Sequence, residues 1–133
     1  MILVDTNVLL DVVQDDPRWA DWSLGQLESA ALTDSLSINA VIYSELSISF
    51  ARIEELEAVI EEASLTLETI PREALFLAGK AFLDYRRRAG TRRSVLSDFY
   101  IGAHAAVARC PILTRDVTRY RNYFPTVRLI APS

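Results

Sequence analysis

The sequence predicts an α/β protein built on a mostly parallel sheet, and three observations carry that expectation. The chain opens on four apolar residues without alternation, Met1-Ile2-Leu3-Val4, the pattern of a strand buried on both faces. Short apolar or alternating runs recur at Leu36-Ser37-Ile38, Thr66-Leu67-Glu68-Thr69-Ile70, Pro111-Ile112-Leu113-Thr114 and Val127-Arg128-Leu129-Ile130. Strands alternate with helical patterns, and neighbouring elements are too short for antiparallel hairpins.

Each element has a local reason. Val8, Leu9, Leu10, Val12 and Val13 form a helical pattern directly after Asp5, with Thr6 or Asn7 starting the helix. Asp15-Asp16-Pro17 is a punctuation mark, with Asp16 as N-cap and Pro17 at the first helical position of a segment running toward Ala31. Trp19 and Trp22 share a face of that helix, as core or as a partner surface. Asn39 caps a helix over residues 40–50 that carries Glu45 in its middle. Over residues 53–63, Ile53, Leu56, Val59, Ile60 and Ala63 make one apolar face and the glutamates a solvated one. Pro71 begins a long helix ending near Gly90, and residues 90–93 read as a loop. Ser97 is expected to cap a helix with Asp98 in its first turn, and Gly102 and Ala105 follow on the acid's face. So small a face suits close packing against the sheet.

Size and composition narrow the class. The 133 residues suit a single domain, with no repeats, low-complexity stretch or second domain. Half are hydrophobic, which argues against disorder, and no apolar run approaches the length of a membrane span. No basic region precedes Ile2-Leu3-Val4, so a cytoplasmic protein is the expectation. Cys110, the only cysteine, leaves no internal disulfide and is expected to be a small buried residue. A net charge of -4 argues against a generic polyanion binder. That balance would come to zero if four acids were gathered on a cation. Five of the arginines, Arg86, Arg87, Arg88, Arg92 and Arg93, crowd into one short stretch, while Lys80 is the only lysine.

Four acids stand where chemistry would need them. Asp5 and Asp116 both end apolar strands, Asp98 opens the small-residue helix, and Glu45 sits on the helix after the second strand. Right-handed crossovers bring the ends of parallel strands to one side, so Asp5 and Asp116 share an edge if their strands are neighbours. Carboxylates brought together repel unless a cation intervenes. One histidine and one cysteine do not make a zinc site, whereas hard oxygen ligands suit Mg²⁺ or Mn²⁺. Such ions serve attack on phosphodiesters, by activating water and neutralising phosphate charge. The plainer alternative, in which Asp5 is a helix N-cap and the others are caps or surface charges, explains the acids singly but not together. Aspartyl phosphatases of the haloacid dehalogenase type and receiver domains need a lysine near the site, but Lys80 lies mid-helix and Asn7 replaces the phosphatase's second acid. No P-loop pattern occurs.

Val4-Asp5-Thr6-Asn7-Val8, Ser44-Glu45-Leu46, the stretch from Asp98-Phe99-Tyr100 to His104-Ala105, and Leu113-Thr114-Arg115-Asp116 together resemble the PIN-domain ribonucleases. Within them, the resemblance is to the VapC-type toxins of type II toxin-antitoxin pairs. It implies a three-layer α/β/α sandwich and a Mg²⁺- or Mn²⁺-dependent endoribonuclease. Asp5 and Asp98 would be the main metal ligands, Glu45 and Asp116 would complete the acidic cluster, and Thr6, Asn7 and Thr114 would support the carboxylates. It also implies a homodimer and a cognate antitoxin partner. Arg86, Arg87, Arg88, Arg92, Arg93 and Arg115 are candidates to touch RNA or antitoxin, a solvated helix end being the alternative for the cluster. His104 falls close to the helix face opposite Asp98 and is expected to pack rather than react. The rival to a nuclease is a non-catalytic PIN-like module that binds RNA or protein.

Overall fold

The structure, a computed structural model, describes residues 1–88, 90–91 and 95–133. Arg92 and Arg93 lie outside the described residues. Five parallel strands form one sheet in the order β3-β2-β1-β4-β5. They are β1 (Ile2–Val4), β2 (Leu36–Asn39), β3 (Thr66–Glu68), β4 (Ile112–Leu113) and β5 (Leu129–Ile130). The connections are α1 (Thr6–Val13) and α2 (Ala20–Ala31), then α3 (Ala40–Ser47) and α4 (Ile53–Glu62), then α5 (Arg72–Arg87) and α6 (Leu96–Ala108), and finally α7 (Thr118–Tyr123).

Right-handed crossovers put α1 to α4 on one face of the sheet and α5 to α7 on the other, because the chain first steps outward from β1 to β3 and then returns to the far side of β1. The packing follows that division, α1 against α2 and α3, and α6 against α5 and α7. The result is the α/β/α sandwich expected from the sequence. Leu3, Val4, Ile38, Ile112 and Leu113 are fully buried, as strands covered on both faces require. The reversal of strand order falls between β1 and β4, and a crevice opens there at the carboxyl ends of the strands.

Several boundaries differ from the expectation. Asp16 does accept from the backbone N–H of Arg18 and Trp19, but it caps a turn, and α2 proper starts at Ala20. Pro71 is the N-cap of α5 rather than its first residue. Ser97 does not cap α6, which starts one residue earlier behind Val95 without a side-chain cap. The small face of α6 meets a ring rather than the sheet: a Cβ on Gly102 would fall 2.3 Å from Cδ2 of Phe124. Helix α7 has no counterpart among the elements expected from the sequence. Cys110 is buried, as expected.

Candidate active site

Asp5 sits one residue beyond β1, and Thr114 one residue beyond β4, in neighbouring strands that pair Val4 with Leu113. The ladder continues past the strands, with the N–H of Asp5 donating to the carbonyl of Leu113 at 2.9 Å. Register therefore aims both side chains into the crevice, and the Thr114 hydroxyl reaches Asp5 Oδ2 at 2.9 Å. Asp5 is also the N-cap of α1, with Oδ1 accepting from the Thr6 N–H at 2.7 Å, so the capping role and the site role belong to one residue.

The rest of the site converges on this carboxylate. Asn7 Nδ2 lies 3.4 Å from Oδ2 and 3.3 Å from the Thr114 hydroxyl, while Asn7 Oδ1 accepts from the Arg115 N–H. Thr6 turns its hydroxyl the other way and donates to Glu45 Oε1 at 2.7 Å, tying α3 to α1. Helices α3 and α6 are in contact, which brings Glu45 toward Asp98. Asp116 is exposed beyond β4, its N–H donating to Thr114 Oγ1 at 3.1 Å. The crevice thus gathers Asp5, Glu45, Asp98 and Asp116, with Thr6, Asn7 and Thr114 as their supports.

Electrostatics report the crowding. Burial raises the carboxyl of Asp5 to about 6, against hydrogen bonds from Tyr120, Thr114 and Thr6 that favour its ionised form. Asp98 is pushed up to about 7, first by burial and then by the charges of Asp5, Asp116 and Glu45, with Arg119 pulling the other way. Four acids from four segments therefore act on one another in a single space.

Their chemistry fits a hard divalent cation, which would remove the repulsion that burial has concentrated. Among the described residues, no three His, Cys, Asp or Glu side chains stand together closely enough to ligate an ion as placed. That spacing suits an ion held by one or two carboxylates and reached by the others through water, the habit of Mg²⁺.

Three residues of the site escaped the sequence-based expectations. Tyr120, on α7, is 1% exposed and donates to Asp5 Oδ2 at 2.8 Å. Asp11, buried on α1, accepts from Arg115 through both oxygens at 2.7 and 2.8 Å and from Ser23 at 2.7 Å. An acid in the middle of an otherwise apolar helix was the signal for it. Arg119, beside Tyr120, is half-buried, and its charge acts on Asp98 without an ion pair between them.

Neither the other arginine candidates nor His104 pairs with any of the four acids among the described residues. Arg115 is committed to Asp11 and lies 5.4 Å from the ring centre of Trp19, whose own edge meets Trp22. Arg86, Arg87 and Arg88 are exposed at the end of α5, and Arg88 pairs with Asp84. His104 is buried, with Nδ1 3.0 Å from Asn39 Nδ2. Because Asn39 Oδ1 already accepts from the N–H groups of Val41 and Ile42, the amide nitrogen is the donor and Nδ1 the acceptor. Burial lowers the pKa of this neutral, packed imidazole.

A family model described as the PIN domain matches residues 2–124. No curated protein sequence matches the chain. Among solved structures, the chain is similar to VapBC2 from Rickettsia felis bound to a promoter DNA fragment, at a TM-score of 0.76 and 16% identity over 100% of both chains. It is similar to DNA-bound VapBC from Salmonella typhimurium at 0.71 and 18% identity, covering 98% of this chain and 96% of that one. FitAcB from Neisseria gonorrhoeae gives 0.67 and 22% identity, with the same coverage. At these identities the likeness is one of fold. Since the family match runs from β1 through α7 and takes in all four acids of the crevice, the chain belongs to the PIN domain family.

Proposed function

We propose that this protein is a Mg²⁺- or Mn²⁺-dependent endoribonuclease acting as the toxin of a type II toxin-antitoxin pair. The observation that carries the reading is the convergence of Asp5, Glu45, Asp98 and Asp116 on one crevice, where burial first and then the charges of the other three raise the Asp98 carboxyl to about 7. A stable protein keeps such an arrangement where a cation or a reaction uses it. The supporting comparisons are the PIN match and the solved neighbours, one of which is a toxin-antitoxin complex from Klebsiella pneumoniae.

A bound Mg²⁺ or Mn²⁺ would supply an activated water and neutralise charge on the phosphate. Asp5 and Asp98 would hold it, with Glu45 and Asp116 acting directly or through water. Asp5 is preorganised as a ligand, because Oδ2 is engaged by Tyr120 and Thr114, which leaves Oδ1, with a single N–H donor, as the oxygen it presents. Thr6 orients Glu45, and Asn7 and Thr114 lock the two strand ends together. The substrate would be cellular RNA and the protein partner a cognate antitoxin, the toxin itself forming a homodimer in the cytoplasm. Among the described residues no helix is long and apolar enough to cross a membrane.

The rival is a non-catalytic PIN-like module that binds RNA or protein in the same groove. One experiment separates them. Purified protein incubated with total cellular RNA should generate new ends in Mn²⁺ and none after chelation, and Asp5→Asn or Asp98→Asn should abolish the cleavage and the growth inhibition. Cleavage that survives either substitution, or that ignores chelation, overturns the proposed roles.

A further inference from the structure

Of the described arginines, only Arg115 and Arg119 are drawn in from solvent. Arg115 has its counter-charge in Asp11. Arg119 has none among the described residues, where no salt bridge involves it. Its guanidinium carbon lies 4.9 Å from the ring centre of Tyr85, and its Nε is buried without a hydrogen-bond partner. Burying that N–H without a partner costs free energy, and the half-buried guanidinium has no counter-charge beside it, so its outer nitrogens are free to meet an anion.

Its location says which anion. The next residue, Tyr120, is bonded to Asp5, which anchors this part of α7 at the acidic crevice. The charge of Arg119 is felt at Asp98, yet the two form no ion pair. The site therefore sets one unpaired cation beside four acids that already repel one another. A carboxylate and a phosphodiester would each add one negative charge there; the phosphodiester is the anion that the nuclease reading brings to the crevice, and its phosphorus carries two non-bridging oxygens, one for the guanidinium fork and one for a cation that the acids would hold.

We propose that Arg119 is a substrate-binding residue whose guanidinium, braced on the Tyr85 ring, grips a non-bridging oxygen of the RNA phosphodiester seated at the acidic crevice. The assignment rests on the nuclease reading above. It gives α7 two roles from consecutive residues, since Tyr120 orients an acid and Arg119 meets the strand.

The test is binding of a short fluorescent single-stranded oligoribonucleotide, with Ca²⁺ replacing Mg²⁺ to hold the strand, by anisotropy across a range of salt. Wild type, Arg119→Gln and Arg119→Lys are compared, with folding checked by thermal unfolding and Mn²⁺ binding by calorimetry. Arg119→Gln should weaken the complex roughly tenfold. Its dependence of log K on log salt should become shallower by about 0.7, one single-strand phosphate contact. Arg119→Lys, which keeps the charge but not the fork, should preserve the salt slope and recover part of the affinity. Mn²⁺ binding should be no weaker in either variant. Unchanged affinity and slope in both variants, with a wild type that binds RNA, would overturn this role for Arg119 and leave the nuclease reading standing. A wild type that neither binds nor cuts RNA would overturn both.

Discussion

Tyr120 donates to Asp5 Oδ2 across 2.8 Å from the fully buried inner side of α7, so a helix near the end of the chain orients an acid near its start. Removing that hydroxyl leaves Oδ2 to Thr114 and Asn7 and loosens a carboxylate that Thr6, Asn7 and Thr114 also hold. Tyr120→Phe should cost roughly 10- to 100-fold in Mn²⁺ affinity or cleavage rate, the usual effect of losing a group that orients a ligand. Calorimetric Mn²⁺ titration of the purified variant checks this, and unaltered binding and rate would deny Tyr120 the role.

Asp98 carries the highest burden of repulsion in the crevice. Asp98→Asn should lower cleavage by at least about a hundredfold. The same change should raise the melting temperature of the metal-free protein at pH 8, because it removes a charge that the fold accommodates at a cost. A melt in chelator, run beside the RNA assay, reads both effects.

Acidity should act in the same sense. Asp5 and Asp98 have carboxyls raised to about 6 and about 7 from an ordinary 3.8. Between 3.8 and these values the native state holds protons that the unfolded chain has released. Stability of the metal-free protein should therefore fall as pH rises through about 4 to 7 and stay lower above it. Mg²⁺ should restore stability more at pH 8 than at pH 5, since it competes with those protons. Thermal melts with and without Mg²⁺ at the two values test the sign.

Arg115 and Asp11 join the loop after β4 to α1, with Asp11 3% exposed. Arg115→Ala strands a buried carboxylate with only Ser23 as donor and should cost about 3 kcal/mol. Adding Asp11→Asn should recover part of that loss by removing the charge. Urea unfolding of the single and double variants decides whether the pair is coupled in this way.

Gly102→Ala reverses a familiar expectation. Alanine in a helix interior normally gains about 1 kcal/mol over glycine. Here the new methyl would lie 2.3 Å from the Phe124 ring, so the net effect should be a loss of about 1–3 kcal/mol. A urea midpoint at or above wild type would show that Phe124 yields without cost.

The placement of the acids was partly legible in the sequence because acids at strand ends announce themselves. Asp5 and Asp116 each close an apolar run, and the alternation of strands and helices predicts parallel strands, but that β1 and β4 are neighbours is visible only in the structure. What stayed hidden was α7. Thr118–Tyr123 is six residues long and mostly polar, with only Tyr120, Tyr123 and Phe124 at helical spacing to betray an inward face. Missing that helix hid Tyr120 and Arg119, whose roles depend on contacts far along the chain. The Ser97 cap was misjudged because α6 begins behind Val95, leaving Ser97 within the first turn.

The strand that begins the chain lies in the middle of the sheet. Two of the hydrogen bonds that orient Asp5 consequently span 109 and 115 residues. While the polypeptide is still emerging from a ribosome, Asp5, Glu45 and even Asp98 can be present with neither Thr114 nor Tyr120 to steady them. The pocket thus closes only once α7 has been made, and a fragment truncated after α6 would hold Asp5, Glu45 and Asp98 without the groups that orient Asp5.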